Sequence, residues 1–82
     1  MYLYGGSIGL SSNSTFYALD LQKMIWETVR SKGASNLEEN LPMPRDEHTA
    51  IIFEDNMVIF GGFVDGEHVN QTFKFNIKTE TW

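Results

Sequence analysis

Short apolar runs, separated by glycines and polar turns, recur along this chain at lengths that suit strands and not helices. Met1–Tyr4 and Met57–Phe60 are continuous apolar runs, each followed by a glycine pair. Runs of this length bounded by glycine predict strands buried on both faces. Thr49–Phe53 is a third such run, and the polar turn Glu54-Asp55-Asn56 between it and Met57 predicts a hairpin. Phe16–Leu21 and Thr72–Ile77 mix aromatic and aliphatic residues and predict two more strands. The turns Gln22–Ile25 and Lys78–Thr81 lead each of them to a tryptophan, and Trp26-Glu27-Thr28-Val29 alternates as a half-buried strand. Arg30–Pro44 contains Gly33, Pro42 and Pro44 and predicts a long connecting loop. Within it, Leu37-Glu38-Glu39-Asn40-Leu41 has the composition of one helical turn, which Pro42 would stop.

The pattern repeats. Met1-Tyr2-Leu3-Tyr4-Gly5-Gly6 returns as Met57-Val58-Ile59-Phe60-Gly61-Gly62, an offset of 56 positions. At the same offset Tyr17 returns as Phe73, Asp20 as Asn76, Leu21 as Ile77 and Trp26 as Trp82, with no gap. A repeat of this period signals an array whose units bury their faces against one another. Residues 1–29 read as strands two to four of one four-stranded unit, and residues 30–44 as the connection. Residues 45–82 read as strands one to three of the next unit, ending where its fourth would open. The expected whole is a longer ring of which this chain is a sector.

Composition narrows the function classes. The chain has 11 acidic and 6 basic residues and a formal charge of −5, the wrong sign for binding a phosphate backbone, so no nucleic-acid partner is expected. It has no cysteine, which excludes disulfides, thiolate metal sites and cysteine nucleophiles within it. Its apolar runs fall far short of the roughly 20 residues that span a bilayer. No secretory signal opens it, and a cytoplasmic setting without a membrane partner is the expectation.

The residues resemble the kelch family. Pro44-Arg45-x-x-His48 precedes the first strand of the second unit; Met57-Val58-Ile59-Phe60-Gly61-Gly62, Phe73, Asn76 and Trp82 follow it. The upstream copy supplies Leu3-Tyr4-Gly5-Gly6, Tyr17, Asp20 and Trp26, so the resemblance covers nearly the whole chain. It implies an all-β fold, a partial β-propeller made of four-stranded antiparallel blades. The glycines would permit backbone conformations or close approaches that a Cβ would block. Arg45 and His48 would form hydrogen bonds between blades, with ligand contact as their alternative role. Trp26 and Trp82 would bury area between neighbouring blades. Trp26 is expected to be well buried against the following blade near Ile51–Phe53. Trp82, without a following blade, is expected to be partly exposed. Asn76 departs from the aspartate of the first copy but keeps the turn role, since both side chains bond nearby backbone.

In an up-and-down meander, alternate connections share one end. The loops Ser7–Thr15 and Phe63–Gln71 and the connection Arg30–Pro44 are therefore expected on one face, opposite the short turns. Loops on a rigid scaffold carry recognition, and kelch propellers commonly bind partner peptides on this face. The residues expected to contact a protein or peptide partner are Glu38, Glu39, Asp46, Glu47, Phe63, Asp65, Glu67 and His68. Their acidity, set against Arg30, Lys32 and Arg45, suits a basic partner segment; an ordinary solvated surface is the alternative. Phe63 and Val64 either meet a partner or pack under their own loop.

No catalytic set emerges. His48 and His68 with Asp46, Glu47, Asp65 and Glu67 match no established ligand spacing, so no metal or cofactor is expected. Ser11, Ser12 and Ser14 lack a nucleophile elbow, and Gly5-Gly6-Ser7-Ile8-Gly9 lacks the Gly-Lys-Ser/Thr ending of a phosphate loop. Asn13-Ser14-Thr15 and Asn70-Gln71-Thr72 fit the glycosylation pattern but read as chance loop asparagines. The expected function is a non-catalytic interaction scaffold. The alternative is a sector of a kelch-propeller enzyme, of copper-oxidase or sugar-processing type, whose active-site residues lie mainly in other blades. An isolated sector, with open edges and uncovered faces, is expected to self-associate or to need those blades.

Overall fold

The structure, a computed structural model, describes residues 1–31 and 41–82. The candidate helical turn at Leu37–Leu41 and the loop residues Lys32, Glu38 and Glu39 therefore lie wholly or mostly outside the described residues. The described chain is built from strands and turns, with no helix.

Ten strands follow in order: β1 (Tyr2–Tyr4), β2 (Ser7–Ile8), β3 (Ser11–Ser12), β4 (Phe16–Asp20), β5 (Ile25–Thr28), β6 (Thr49–Phe53), β7 (Asn56–Phe60), β8 (Phe63–Val64), β9 (Glu67–His68) and β10 (Thr72–Asn76). Six of them form two three-stranded antiparallel sheets, β1-β4-β5 and β6-β7-β10, and β2–β3 and β8–β9 form two-stranded hairpins in the connections between β1 and β4 and between β7 and β10. A single bridge, Asn76 to Thr81, begins a further pairing at the end of the chain. The hairpin between β6 and β7 is tighter than expected. Phe53 pairs with Asn56, so the turn is Glu54-Asp55 alone, and Glu54 adopts φ +54°.

The repeat holds down to individual hydrogen bonds. Asp20 Oδ1 accepts the amides of Gln22 and Lys23 at 2.9 and 3.1 Å, and Asn76 Oδ1 accepts those of Lys78 and Thr79 at 2.9 and 3.0 Å. Carboxylate and carboxamide thus make the same turn, which ends in a left-handed residue both times, Met24 at φ 57° and Glu80 at φ 58°.

The core lies between the sheets. Alternation along β1 and β4 turns Tyr4 and Phe16 toward the second sheet, and alternation along β7 and β10 turns Met57, Ile59 and Phe75 toward the first. Trp82 closes this layer, with ring centroids 5.5 Å from Tyr4, 5.4 Å from Phe16 and 5.2 Å from Phe75. Such aromatic pairs add about 0.5–1.5 kcal/mol each beyond the area they bury.

This arrangement overturns the expectation for Trp26, while Trp82 is partly exposed as expected but packs against the core. Trp26 is 48% exposed and packs beside Tyr17, over a small apolar hollow shared with Leu3. The indole at this motif position projects from the sheet face that looks back along the chain. Trp82 therefore meets the preceding sheet, while Trp26 faces away from the second sheet and does not approach Ile51–Phe53. The same rule explains why equivalent positions differ in burial. Leu3 is 51% exposed where Ile59 is fully buried, and Tyr4 is 5% exposed where Phe60 is 51% exposed.

Candidate interaction face

Both expected loops on one end contain a small hairpin. In the first, β2 pairs with β3 across Gly9-Leu10, and Gly9 takes φ +62°. In the second, β8 pairs with β9 across Asp65-Gly66, where both residues take positive φ, +49° and +87°. Positive φ at both central residues is the primed turn whose twist matches the strands it joins, and Asp-Gly suits it.

The segment leading into β6 runs between these hairpins and is bonded to both. The Gly6 amide donates to the Arg45 carbonyl at 2.8 Å, and the Arg45 amide donates to the Asn13 carbonyl at 3.2 Å. On the other side, Phe63 N–H donates to the Asp46 carbonyl at 2.7 Å and Asp46 N–H to the Phe63 carbonyl at 3.3 Å. Ser12 Oγ adds a bond to Asp46 Oδ1 at 2.9 Å. Two glycines admit this close packing. A Cβ on Gly5 would lie 2.7 Å from the Arg45 carbonyl oxygen, and one on Gly62 would lie 2.7 Å from that of Asp46.

Arg45 is fully buried. Its Nε donates to the Met43 carbonyl at 3.2 Å, one Nη to the Gly61 carbonyl at 2.9 Å and the other to Gln71 Oε1 at 3.1 Å. The guanidinium carbon sits 5.0 Å from the centre of the Phe73 ring. Burial pushes the guanidinium below its ordinary range, an effect the nearby Tyr4 oxygen partly opposes. No carboxylate among the described residues pairs with it. The expected bridging between units is thus divided: the side chain fastens its own unit, and its main chain bonds the preceding one. His48 also departs from a hydrogen-bonding role. Its Nδ1 is buried without a partner among the described residues, and its ring packs edge-on to Tyr4 at 5.8 Å. It contributes packing between the units. Tyr4 donates its hydroxyl to the Pro42 carbonyl at 2.9 Å, and burial raises its pKa to about 12.

Arg45 therefore adds no positive charge to the surface. Glu47, Asp65, Glu67 and His68 are exposed, with Asp46 partly so. His68 Nε2 lies 3.1 Å from Glu47 Oε2. Phe63 is half-buried against the His68 ring at 5.1 Å, and Val64 is buried, so this hydrophobic pair packs largely within its own loop. Glu38 and Glu39 lie outside the described residues. No three metal-ligating side chains cluster among the described residues. The remaining motif residues, Gly6, Tyr17, Gly61 and Phe73, sit within or beside the sheets and not on the loop surface.

Sequence reasoning missed the apolar part of this face. Leu10, at a hairpin tip, is fully exposed, and Ile8 and Met43 are 69% and 52% exposed. A leucine beside the turn glycine Gly9 was the available signal. At the opposite end of the sheets the Asp55 carbonyl accepts the Ile77 amide at 2.8 Å, and Lys78 approaches Asp55 at 3.3 Å. Among the described residues, that end is made of short turns.

Comparison with known proteins gives a consistent result. Residues 1–82 match the family described as the KLHDC2/KLHL20/DRC7 Kelch-repeats domain. Human Host cell factor 2 is 38% identical over 64 residues, 78% of this chain and 7% of that protein. The Rho GTPase-activating protein gacHH of Dictyostelium discoideum is 32% identical over 66 residues, 80% of this chain and 4% of that protein. Kelch domain-containing protein 10 of Rattus norvegicus is 26% identical over 84 positions, which take in 100% of this chain and 20% of that protein. The chain thus spans only a small part of the curated relatives it matches.

Proposed function

Because this chain belongs to the kelch-repeat family, we propose that it is a non-catalytic sector of a β-propeller whose loop face holds a protein or peptide partner. Its two sheets are parts of adjacent propeller blades. The observation that carries the reading is the pair of hairpins β2–β3 and β8–β9, tied by main-chain bonds to one shared segment, Arg45–Asp46. A rigid presentation of loops loses little ordering entropy on binding. The exposed carboxylates of Glu47, Asp65 and Glu67 favour a partner segment with net positive charge and would speed its encounter.

The test compares two sets of substitutions in the protein that carries this chain. One set alters the loop face (Leu10→Ser, Glu47→Gln, Glu67→Gln), and the other alters the opposite turns (Lys23→Ser, Glu54→Asn, Lys78→Ser). Proteins bound to each are quantified by mass spectrometry. Loss of the wild-type partners with the first set and retention with the second is expected. Equal loss with both sets, or loss with the second alone, would refute the assignment of the face.

A further inference from the structure

Between the two hairpins lies a groove of about 490 Å³, lined chiefly by Leu10, Met43, Pro44, Phe63, Val64 and Asp65. Its volume is in the range of ligand sites, and its wall mixes these apolar side chains with Ser11, Ser12 and Asp65. The geometry points to this groove as the seat of a short peptide segment in which one unbranched or γ-branched apolar side chain stands beside a lysine or arginine. This deepens the reading of the loop face and rests on it.

Three observations carry the choice of occupant. First, the apolar side is present without a folding reason. Leu10 is fully exposed at a turn position, and Met43 is half exposed across from it. Strand pairing of β2 with β3 needs neither side chain. Second, the floor is fixed. Val64 is buried, and the Asp46–Phe63 bonds and the Ser12–Asp46 bond hold both hairpins to the segment beneath. The hollow is thus formed before a ligand arrives. Third, the charge at the rim is one-sided. Asp65 lines the groove; Glu67 is exposed on the same hairpin, and Glu47 is exposed beside His68. Of the described cations, Arg45 is buried, Lys23 and Lys78 belong to the turns at the opposite end, and Arg30 and Lys74 do not line the groove. An acidic segment would meet like charge at Asp65, whereas a basic residue flanking the inserted side chain would find an acceptor there.

The experiment is selection of random twelve-residue peptides displayed on phage, against the protein that carries this chain. Affinities of the enriched synthetic peptides are then measured by fluorescence anisotropy. Two variants report on the groove without disturbing its frame. Leu10→Ser changes an exposed side chain, and Asp65→Asn removes a charge while keeping a residue that tolerates positive φ. Enriched peptides should carry leucine or methionine within two positions of lysine or arginine. Leu10→Ser should weaken them about tenfold or more, the effect of withdrawing one leucine from a buried contact. Asp65→Asn should weaken them severalfold, with a shallower salt dependence. Peptides that are acidic, or that ignore both variants, or no enrichment at all, would overturn the groove proposal. Peptides insensitive to both variants but lost on Glu47→Gln with Glu67→Gln would overturn the groove and leave the wider loop face standing. Peptides lost only on Lys23→Ser or Lys78→Ser would overturn both.

Discussion

Gly62 and Gly6 occupy the same place in the repeat, with the same backbone conformation, φ +104° and +103°. Their surroundings differ. A Cβ on Gly62 would lie 2.7 Å from the Asp46 carbonyl oxygen, 3.0 Å from His48 Cβ and 3.2 Å from His48 Cα, whereas a Cβ on Gly6 meets nothing within 4 Å. Substituting alanine at each therefore separates conformational strain from collision. Both changes force an L side chain into a region it avoids, at a cost of about 1–3 kcal/mol. Both restrict the unfolded chain equally, a smaller effect of opposite sign that cancels in the comparison. Only Gly62→Ala must also push the Asp46 carbonyl back by about 0.7 Å to reach ordinary contact. That oxygen accepts the Phe63 amide at 2.7 Å, so the retreat lengthens the bond that joins the second hairpin to the floor. Overpacking of this kind costs about 1–3 kcal/mol. Gly62→Ala should thus be less stable than Gly6→Ala by about 1–3 kcal/mol in urea unfolding of the protein that carries this chain, followed by tryptophan fluorescence. Midpoints that coincide, or a greater loss at Gly6, would refute the claim that the second glycine is required for the approach of Asp46.

Other perturbations test other parts of the fold. Trp82→Ala should cost about 3 kcal/mol in the same protein, since Trp82 packs against the core; an unchanged urea midpoint would contradict its place there. Tyr4 is protonated in the fold up to about pH 12, against about 10 when unfolded, so its contribution is complete below pH 10 and is lost between pH 10 and 12. That loss amounts to about 2–3 kcal/mol, and Tyr4→Phe should flatten the fall in stability over the same window; an unchanged slope in the variant would count against it. Asn76→Ala removes the acceptor of two turn amides and should cost about 1 kcal/mol, while Asn76→Asp should be nearly neutral because Asp20 makes the same bonds; a thermal melt of both variants decides this.

The strands were legible because their apolar runs are bounded by glycine or polar turns and occur twice in register. Thr49–Phe53 appears with the expected bounds, and the other main strands shift by one residue at one end, or at both ends for β5. The two small hairpins were not legible as strands, since two-residue strands are too short to show alternation. Their turns did leave a trace in Gly9 and in Asp65-Gly66. The facing of the tryptophans was hidden for a different reason. Spacing along a strand says which residues share a face but not which neighbour that face meets. Arg45 read as surface charge because arginine is seldom buried without a carboxylate. Here the Met43 and Gly61 carbonyls, Gln71 and the Phe73 ring replace that partner, and all but Met43 come from distant parts of the second unit. The acidic side of the loop face was readable residue by residue. The groove was not, because Leu10, Met43 and Val64 meet only after the hairpins are docked.

Hydrogen–deuterium exchange of the protein carrying this chain, with and without a selected peptide or purified partner bound, tests most directly whether the loop face is where recognition occurs. New protection is predicted in the hairpin segments 7–15 and 63–71 and at 43–47, with exchange in the turns at 21–24, 54–55 and 77–80 unchanged. Protection confined to those turns, with the hairpins unaffected, would contradict it.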